Sequence, residues 1–455
     1  MLSKSFNIRS YFANIVLLSL MSTRKKIIDL VKKHFEEEFP AEEFIPGKSQ
    51  VPVSGRSFDH KDIESLIDSS LDFWLTEGRY TDLFEKKFSS FLDTKHTIPV
   101  NSGSSANLIA FSALTSHKLK ERAIKKGDEV ITVASGFPTT VNPIIQNGCI
   151  PVYLDCELGT YNINVEDLEE ALSPKTKAIM IAHTLGNPFN LEKIMDFCKE
   201  NNLFLIEDSC DALGSKYDNK LTGTFGDMGT YSFYPAHHIT MGEGGAVVTS
   251  NGVVNKILES FRDWGRDCWC APGESDTCNR RYDWQAGGLP YGYDHKYIYS
   301  HIGYNLKLTD MQASIGVSQL DKLETFISKR QSNWQKLYDG LKHLEEFFIL
   351  PIKNPRSEPS WFGFALTVKE DAPFSRPELI NFLDERKINS RFLFGGNLLW
   401  QPAYENLEHR EIGNLSNSNT VALSTFWLGV FPGLTTEMIQ YMVETINEFV
   451  ISKSK

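Results

Sequence analysis

No stretch of the chain is apolar for long enough to cross a bilayer. The greasiest early run, Ile15 to Leu20 behind Lys4 and Arg9, falls far short of the ~20 residues a membrane helix needs. It also lacks the small-residue cleavage site of an export signal, because Met21-Ser22-Thr23-Arg24-Lys25-Lys26 follows it. Residues 1–20 are therefore read as a non-structural N-terminal extension, with Met21 as the functional start. Positive charge is short as well. Against 47 Lys and Arg stand 58 Asp and Glu, for a net charge of −11, which excludes a broad nucleic-acid footprint. Cysteine is sparse and odd in number at seven, so a secreted disulfide framework is excluded and a reducing, cytoplasmic setting is expected. Low-complexity linkers and internal repeats are missing. So is a dinucleotide fingerprint, since Gly242-Glu243-Gly244-Gly245 lacks the Gly-x-Gly-x-x-Gly spacing.

What is present is an ordinary globular composition, 41% hydrophobic and 23% charged, over 455 residues. That length suits a large domain with a smaller companion. Residues 24–39 read as a charged amphipathic helix with Ile27, Leu30, Val31, His34 and Phe35 on one face. From about Lys95 to Thr249, short apolar runs alternate with helix-length segments. Val130–Val133, Ala178–Ile181, Leu203–Ile206 and Ala246–Val248 are such runs. Continuous apolar runs are expected where a strand is buried on both faces, so the pattern predicts a mostly parallel sheet in a three-layer α/β/α domain. Beyond Leu320 a long polar helix and mixed segments predict a smaller C-terminal α+β domain. The expected division is an N-terminal arm and large domain over 21–320 and a small domain over 321–455. Between Arg266 and His301 the sequence is rich in Trp, Tyr, Gly, Pro and Cys without periodicity, and a loop of that length is usually functional.

Three segments carry chemistry. Leu203 to Asp211 runs four apolar residues straight into Glu207-Asp208, placing carboxylates at the carboxyl end of a strand, where open α/β sheets bind ligands. A carboxylate there can hold a protonated ring nitrogen, or it can simply cap the next helix. Asn101-Ser102-Gly103-Ser104-Ser105-Ala106-Asn107 leads into an apolar helix. Free N–H groups at a helix start form an anion site, and glycine admits a phosphate closely. The third segment is Thr230-Tyr231-Ser232-Phe233-Tyr234-Pro235-Ala236-His237-His238, followed by Gly242-Glu243-Gly244-Gly245.

The order of these motifs resembles the DegT/DnrJ/EryC1/StrS family of sugar aminotransferases, from about Val100 to Leu320 and more weakly onward through Trp361 and Gln401-Pro402. The resemblance implies the aspartate-aminotransferase-like fold of vitamin B6 enzymes. It implies that Asp208 pairs with the pyridine nitrogen and that Gly103, Ser104 and Ser232 hold the cofactor phosphate. Phe137 would stack on the ring. Asn305 would reach the phosphate of a neighbouring subunit, which implies a homodimer. Asp211 stands where the family often has Gln and is left unassigned.

The departure from the family pattern lies at His237, which occupies the place of the lysine that links covalently to the cofactor. Imidazole cannot make that link, so the cofactor is expected to sit non-covalently as pyridoxamine phosphate. Histidine still suits general-base work near neutrality. A lone histidine is more often structural, but its position in the motif favours catalysis for His237; the role of His238 stays open. Histidine-bearing members of the family resemble sugar-nucleotide 3-dehydratases. Cys210, Cys268, Cys270 and Cys278 have poor zinc-finger spacing. They resemble the [2Fe–2S] motif of those members that act on a CDP-4-keto-6-deoxyhexose with electrons from a separate NAD(P)H-dependent flavin and iron–sulfur reductase. Cys149, Cys156 and Cys198 read as incidental thiols. The competing readings are a cluster-free dehydratase of a GDP-4-keto-6-deoxymannose, an ordinary sugar aminotransferase, and a non-catalytic protein on the same fold.

Overall fold

The computed structural model describes residues 22–454 apart from Ala41 and Ala271; the expected extension over 1–20 and the start at Met21 lie outside the described residues. The apolar runs become the strands of one large sheet. Its strands are β1 (His96–Val100), β2 (Glu129–Val133), β3 (Ile150–Leu154), β4 (Thr176–Ala182), β5 (Phe204–Asp208), β6 (Met228–Ser232) and β7 (Gly245–Thr249). Together with a late strand described below they stand in the order β1-β7-β6-β5-β4-β2-β3. The central pairs from β6 through β5, β4 and β2 to β3 are parallel. Strand β7 runs antiparallel to both its neighbours, so the Ala246–Val248 run is not part of the parallel set.

Both faces of the sheet are covered, which explains why the runs are continuous rather than alternating. Side chains still alternate between the faces. Ala178, Met180, Phe204 and Ile206 join one core with helix α4 (Gly103–Leu114) and helix α7 (Gly252–Arg262). Ile179, Ile181 and Leu205 point the other way, to helix α6 (Leu191–Glu200). A third core packs Tyr231, Phe233 and Val248 against α3 (Arg79–Leu92) and α8 (Asp310–Leu320). Before α3 lie α1 (Thr23–Glu38) and α2 (His60–Ser70); after α4 comes α5 (Pro138–Gln146). Helix α1 matches the expected span, but none of its residues is buried and Leu30 is 64% exposed. It is tied to the chain by Phe35, which packs on Phe58 and His60, and by Arg24, which pairs with Asp68 and Asp72, so Leu30 does not belong to the packed stripe.

After Leu320, helix α9 (Leu323–Leu341) leads to a smaller sheet made of β8 (Phe348–Ile349), β9 (Gly363–Val368), β10 (Ser390–Phe392) and β12 (Thr425–Gly429). Their order is β8-β9-β12-β10, antiparallel throughout. It packs on α9, α10 (Arg376–Glu385) and α12 (Thr436–Lys453) through Trp334, Leu379, Ile446 and Phe449. Several crossings tie the halves together, among them two that bear on the sheets. Val51 joins the core of the small sheet. Strand β11 (Arg410–Glu411), just ahead of α11 (Ser416–Ser424), adds in parallel to β3 at the edge of the large sheet.

Among its described residues the segment from Arg266 to His301 contains one short turn of 3-10 helix, His295–Tyr297. Its shape depends on side-chain ties: Lys118 donates to Asp267, Arg281 pairs with Asp294 at 2.6 Å, and His295 stacks on Trp284 at 4.3 Å. Among the described residues no helix is long and apolar enough to cross a membrane.

Candidate active site

The carboxyl ends of β2, β4, β5 and β6 open into a cleft of about 630 Å³, whose lining includes Gly103, Ser104, Phe137, Asp208, Ser232 and His237. Six expected site residues thus meet although up to 134 positions separate them (237 − 103). A parallel sheet does this by ending its strands side by side.

The two carboxylates at the end of β5 divide the work. Glu207 points into the protein, where the N–H groups of Gly223, Phe225 and Gly226 donate to it and His183 lies 3.0 Å away; it is structural. Asp208 points into the cleft, and its Oδ2 accepts from Asn107 Nδ2 and Thr140 Oγ1, both at 2.7 Å. The Cys210 N–H donates to its other oxygen at 3.1 Å. Three donors fix the direction of the carboxylate.

The end of the cleft at the start of α4 is built by close approach. Ser102 caps α4, its hydroxyl accepting from the Ser105 N–H. A Cβ on Gly103 would lie 2.4 Å from the Ser232 Cβ, and one on Gly245 would lie 2.3 Å from the Ser102 carbonyl oxygen. Only glycine permits this cradle at the positive end of a helix. Phe137 precedes α5, is half exposed, and sets its ring edge-on to Phe394 at 5.9 Å.

His237 lies at the other side of the cleft. Its ring is 5.1 Å from that of Phe362, and its Nδ1 is buried without a hydrogen-bond partner among the described residues. Burial first, then the Arg330 guanidinium, pushes its pKa down to about 3. Asp211 Oδ1 is 3.6 Å from Nδ1, but burial and then Asp208 raise that carboxyl to about 8. Near neutrality the pair is therefore a neutral acid beside a neutral base, not an ion pair. Arg330 is itself fully buried and donates to the carbonyls of His237 at 3.1 Å and Trp361 at 3.3 Å, locking the loop that carries the imidazole. His238 turns away: it is buried and bonds Ser360 Oγ at 2.9 Å.

Asn305 lies outside this cleft, exposed, in a bridge with Asp263. The cysteines also depart from expectation. Cys268, Cys270 and Cys278 line one small pocket with His295, whereas Cys210 lines the cofactor cleft. Among the described residues no three His, Cys, Asp or Glu side chains converge as a metal site, so the expected four-thiol set is not assembled. Cys210 is held at the cleft floor by Asp208 and by contact with Gly103; the other three ride on a segment with its own ties. Asn107, Thr140 and Arg330 were not singled out by sequence reasoning. Asn107 closes the Asn101–Asn107 motif and lies on α4, and Thr140 follows Phe137 on α5; Arg330 is one of several cations in a polar helix and gives no signal.

A model of the DegT/DnrJ/EryC1/StrS aminotransferase family matches residues 57–447. The chain belongs to that family. The lipopolysaccharide biosynthesis protein RfbH of Salmonella typhimurium is 54% identical over 94% of this chain and 98% of that protein. The dTDP-4-dehydro-2,6-dideoxy-D-glucose 3-dehydratase of Saccharopolyspora spinosa is 51% identical over 92% of this chain and 90% of its own. Among solved structures, the E. coli GDP-4-keto-6-deoxy-D-mannose-3-dehydratase with bound hydrated PLP superposes with a TM-score of 0.78. It is 29% identical and covers 87% of this chain and 99% of its own. The fold is that of the aminotransferase-like vitamin B6 enzymes. The residues present fit their cofactor: the glycine cradle at the start of α4 leaves room for an anion, and Asp208 presents a carboxylate to the same cleft.

Proposed function

We propose that the chain is a pyridoxamine-phosphate-dependent 3-dehydratase of a CDP-4-keto-6-deoxyhexose, working toward 3,6-dideoxyhexoses of lipopolysaccharide O-antigen. The observation that carries this reading is the base of the cleft. His237 is present there with an unpartnered nitrogen, and among the described residues no lysine lines the cavity. A lysine-based amino transfer has no nucleophile in such a site.

When bound, pyridoxamine phosphate supplies an amine for the 4-keto carbon and a ring that draws off electron density. The protein's part is positioning and proton movement. Gly103, Ser104 and Ser232 would hold the phosphate, Asp208 the ring nitrogen, and Phe137 a ring face. The His237 imidazole, neutral near pH 7, would serve as the base that accepts a proton from the cofactor's methylene carbon and would return it to the departing C3 oxygen, which leaves as water. Asp211 stays protonated beside it and does not compete as a second base. The relatives' names point to dehydration of 4-keto sugar nucleotides; the choice of CDP rests on the cysteine resemblance alone.

A [2Fe–2S] cluster on Cys210, Cys268, Cys270 and Cys278 would supply single electrons, fed by a separate NAD(P)H-dependent flavin and iron–sulfur reductase. Three of the four thiols share a pocket, so ligation by all four requires the 266–301 segment and the cleft floor to come together. A homodimer would bring Asn305 to the neighbouring subunit's phosphate. The separation of Cys210 favours one second reading, a cluster-free dehydratase. Iron and acid-labile sulfide on anaerobically prepared protein decide between them. About two of each per chain, lost in Cys268→Ser, is the expected result. Absence of iron after anaerobic reconstitution removes the cluster and the reductase and leaves the histidine chemistry.

A further inference from the structure

A small second cavity adjoins the loop that carries His237. Gly55, Ser57, His238, Gln319 and Arg330 are among its walls, and about 10 Å³ of it is open to the centre of a water molecule. His237 lines both this cavity and the cleft. The walls join the segment ahead of α2, the loop itself, and helices α8 and α9. Gln319 spans two of these parts, donating to the Ser57 carbonyl at 3.1 Å and accepting from the Thr240 N–H at 3.4 Å.

Arg330 Nε, His238 Nδ1 and Ser57 Oγ are buried atoms of these walls with no hydrogen-bond partner among the described residues. Buried polar atoms are almost always satisfied, so each calls for an explanation. What each can do is fixed by its chemistry. Arg330 is 1% exposed, and its Nη atoms donate to the carbonyls of Ala236, His237, Trp361 and Phe362. Its remaining Nε–H can only donate. His238 is 2% exposed. Its Nε2 lies 3.2 Å from the Ser360 carbonyl oxygen, which can only accept. The same nitrogen is 2.9 Å from the Ser360 hydroxyl, whose own proton goes to the Leu213 carbonyl at 2.8 Å. Nε2 therefore carries the ring proton. Burial, and then the Arg330 guanidinium, push the His238 pKa well below its usual range, which leaves Nδ1 as an acceptor. The Ser57 hydroxyl can play either part.

An occupant of this cavity has to accept from Arg330 and donate to His238. A halide cannot donate, and a metal ion or ammonium cannot accept. Water does both, takes two to four partners, and fits in the room available. We infer that one ordered water sits among Arg330 Nε, His238 Nδ1 and the Ser57 hydroxyl, and that through it Ser57 and His238 are positioning residues for the loop that carries His237. Arg330 already grips that loop at its carbonyls; the water adds a bridge from the side chain next to His237 to the segment ahead of α2. A bond through water is nearly as good as a direct one, and a small displacement of a catalytic base costs rate.

The positioning role rests on the reading of His237 as the base; the water does not. A crystal structure of the cofactor-loaded enzyme, at a resolution that shows ordered solvent, is expected to place one peak within about 3.2 Å of all three atoms. Crystals grown with bromide in place of chloride should show no anomalous signal there. A missing peak, or a bromide signal, overturns the assignment. Ser57→Val, whose larger side chain takes the water's place, and Ser57→Ala, which removes one partner, are then compared with the wild type on a CDP-4-keto-6-deoxyhexose. kcat is expected to fall roughly tenfold in Ser57→Val and less in Ser57→Ala, with KM and cofactor affinity unchanged. If Ser57→Val does not fold, Ser57→Ala carries the same comparison. Unchanged kcat, or a loss that falls on KM or cofactor affinity instead, ends the positioning role. A wild type without dehydratase turnover overturns the reading of His237 as the base and the positioning role with it, while the crystallographic test of the water still stands.

Discussion

In the cofactor cleft, residues from the ends of separate strands and the starts of separate helices meet within one cavity, each held by a second layer. Asp208 has three donors, Gly103 a fixed serine cap, and His237 the backbone grip of Arg330. The segment from Arg266 to His301 is organised differently. Its cysteines are near one another chiefly because they are near in sequence, and partly exposed pairs such as Arg281 with Asp294 hold its shape. A sheet converts distant sequence positions into fixed geometry at no further cost. A loop has to be tied contact by contact, and each exposed tie is weak. The cleft is therefore expected to be formed before any ligand arrives, and the cysteine segment to reach its final arrangement only with its ligand or a partner.

The sharpest way to break that contrast is at His237. His237→Asn keeps a polar group of similar size but cannot take a proton, so dehydration is expected to fall by about 10²- to 10⁴-fold. Because the grip on the cofactor lies elsewhere, pyridoxamine phosphate should bind as in the wild type. Single-turnover kinetics with a spectroscopic titration of the cofactor separate the two quantities; turnover within a few-fold of the wild type would remove His237 from the chemistry.

A smaller effect is expected one layer back. Asn107 accepts from Thr230 Oγ1 at 2.6 Å while donating to Asp208. Asn107→Ala leaves a buried carboxylate short of one donor, at a cost of about 1.5 to 3 kcal/mol. Cofactor affinity should drop roughly tenfold or more, and the thermal midpoint should fall with it. If Kd for the cofactor does not move, Asp208 is not held by this layer and the cleft is less pre-formed than its geometry indicates.

How much of this was legible beforehand follows from the same contrast. The strands could be read because burial on both faces leaves continuous apolar runs such as Ala178–Ile181. Asp208 and Gly103 could be read because strand ends and helix starts have local signatures. Nothing local distinguishes Ala246–Val248 as antiparallel, since its burial is the same as that of its neighbours. The late return of Arg410–Glu411 to the large sheet is a two-residue pairing with no pattern to find. Arg330 is invisible for a different reason: its burial is set by packing between halves of the chain that no periodicity reports. The metal ligand set named from the resemblance of four cysteines to a cluster motif shows the limit most directly. Three of its members share a pocket because the chain between them is short, and the fourth lies elsewhere because spacing does not specify where distant segments meet.

The subtlest test concerns the pair of neutral groups. Asp211 has a folded pKa near 8 against about 3.9 when unfolded, so the folded state binds the extra proton across that window. Its contribution to stability is complete below about pH 4 and is lost as pH rises toward 8. His237 runs the opposite way, with a folded pKa near 3 against about 6.5 unfolded. Its contribution is complete above about 6.5 and is lost as pH falls toward 3. Between about 4 and 6.5 the two slopes offset one another, and from about 6.5 to 8 only the Asp211 slope remains. Over that interval the wild type is expected to lose about 1 to 2 kcal/mol of stability that Asp211→Asn does not lose. Urea denaturation at pH 6.5, 7.2 and 8 measures this as a difference between two lines. Parallel lines would mean that Asp211 is ionised beside His237, which would restore an ion pair to the cleft and give the imidazole a charge it lacks in the present arrangement.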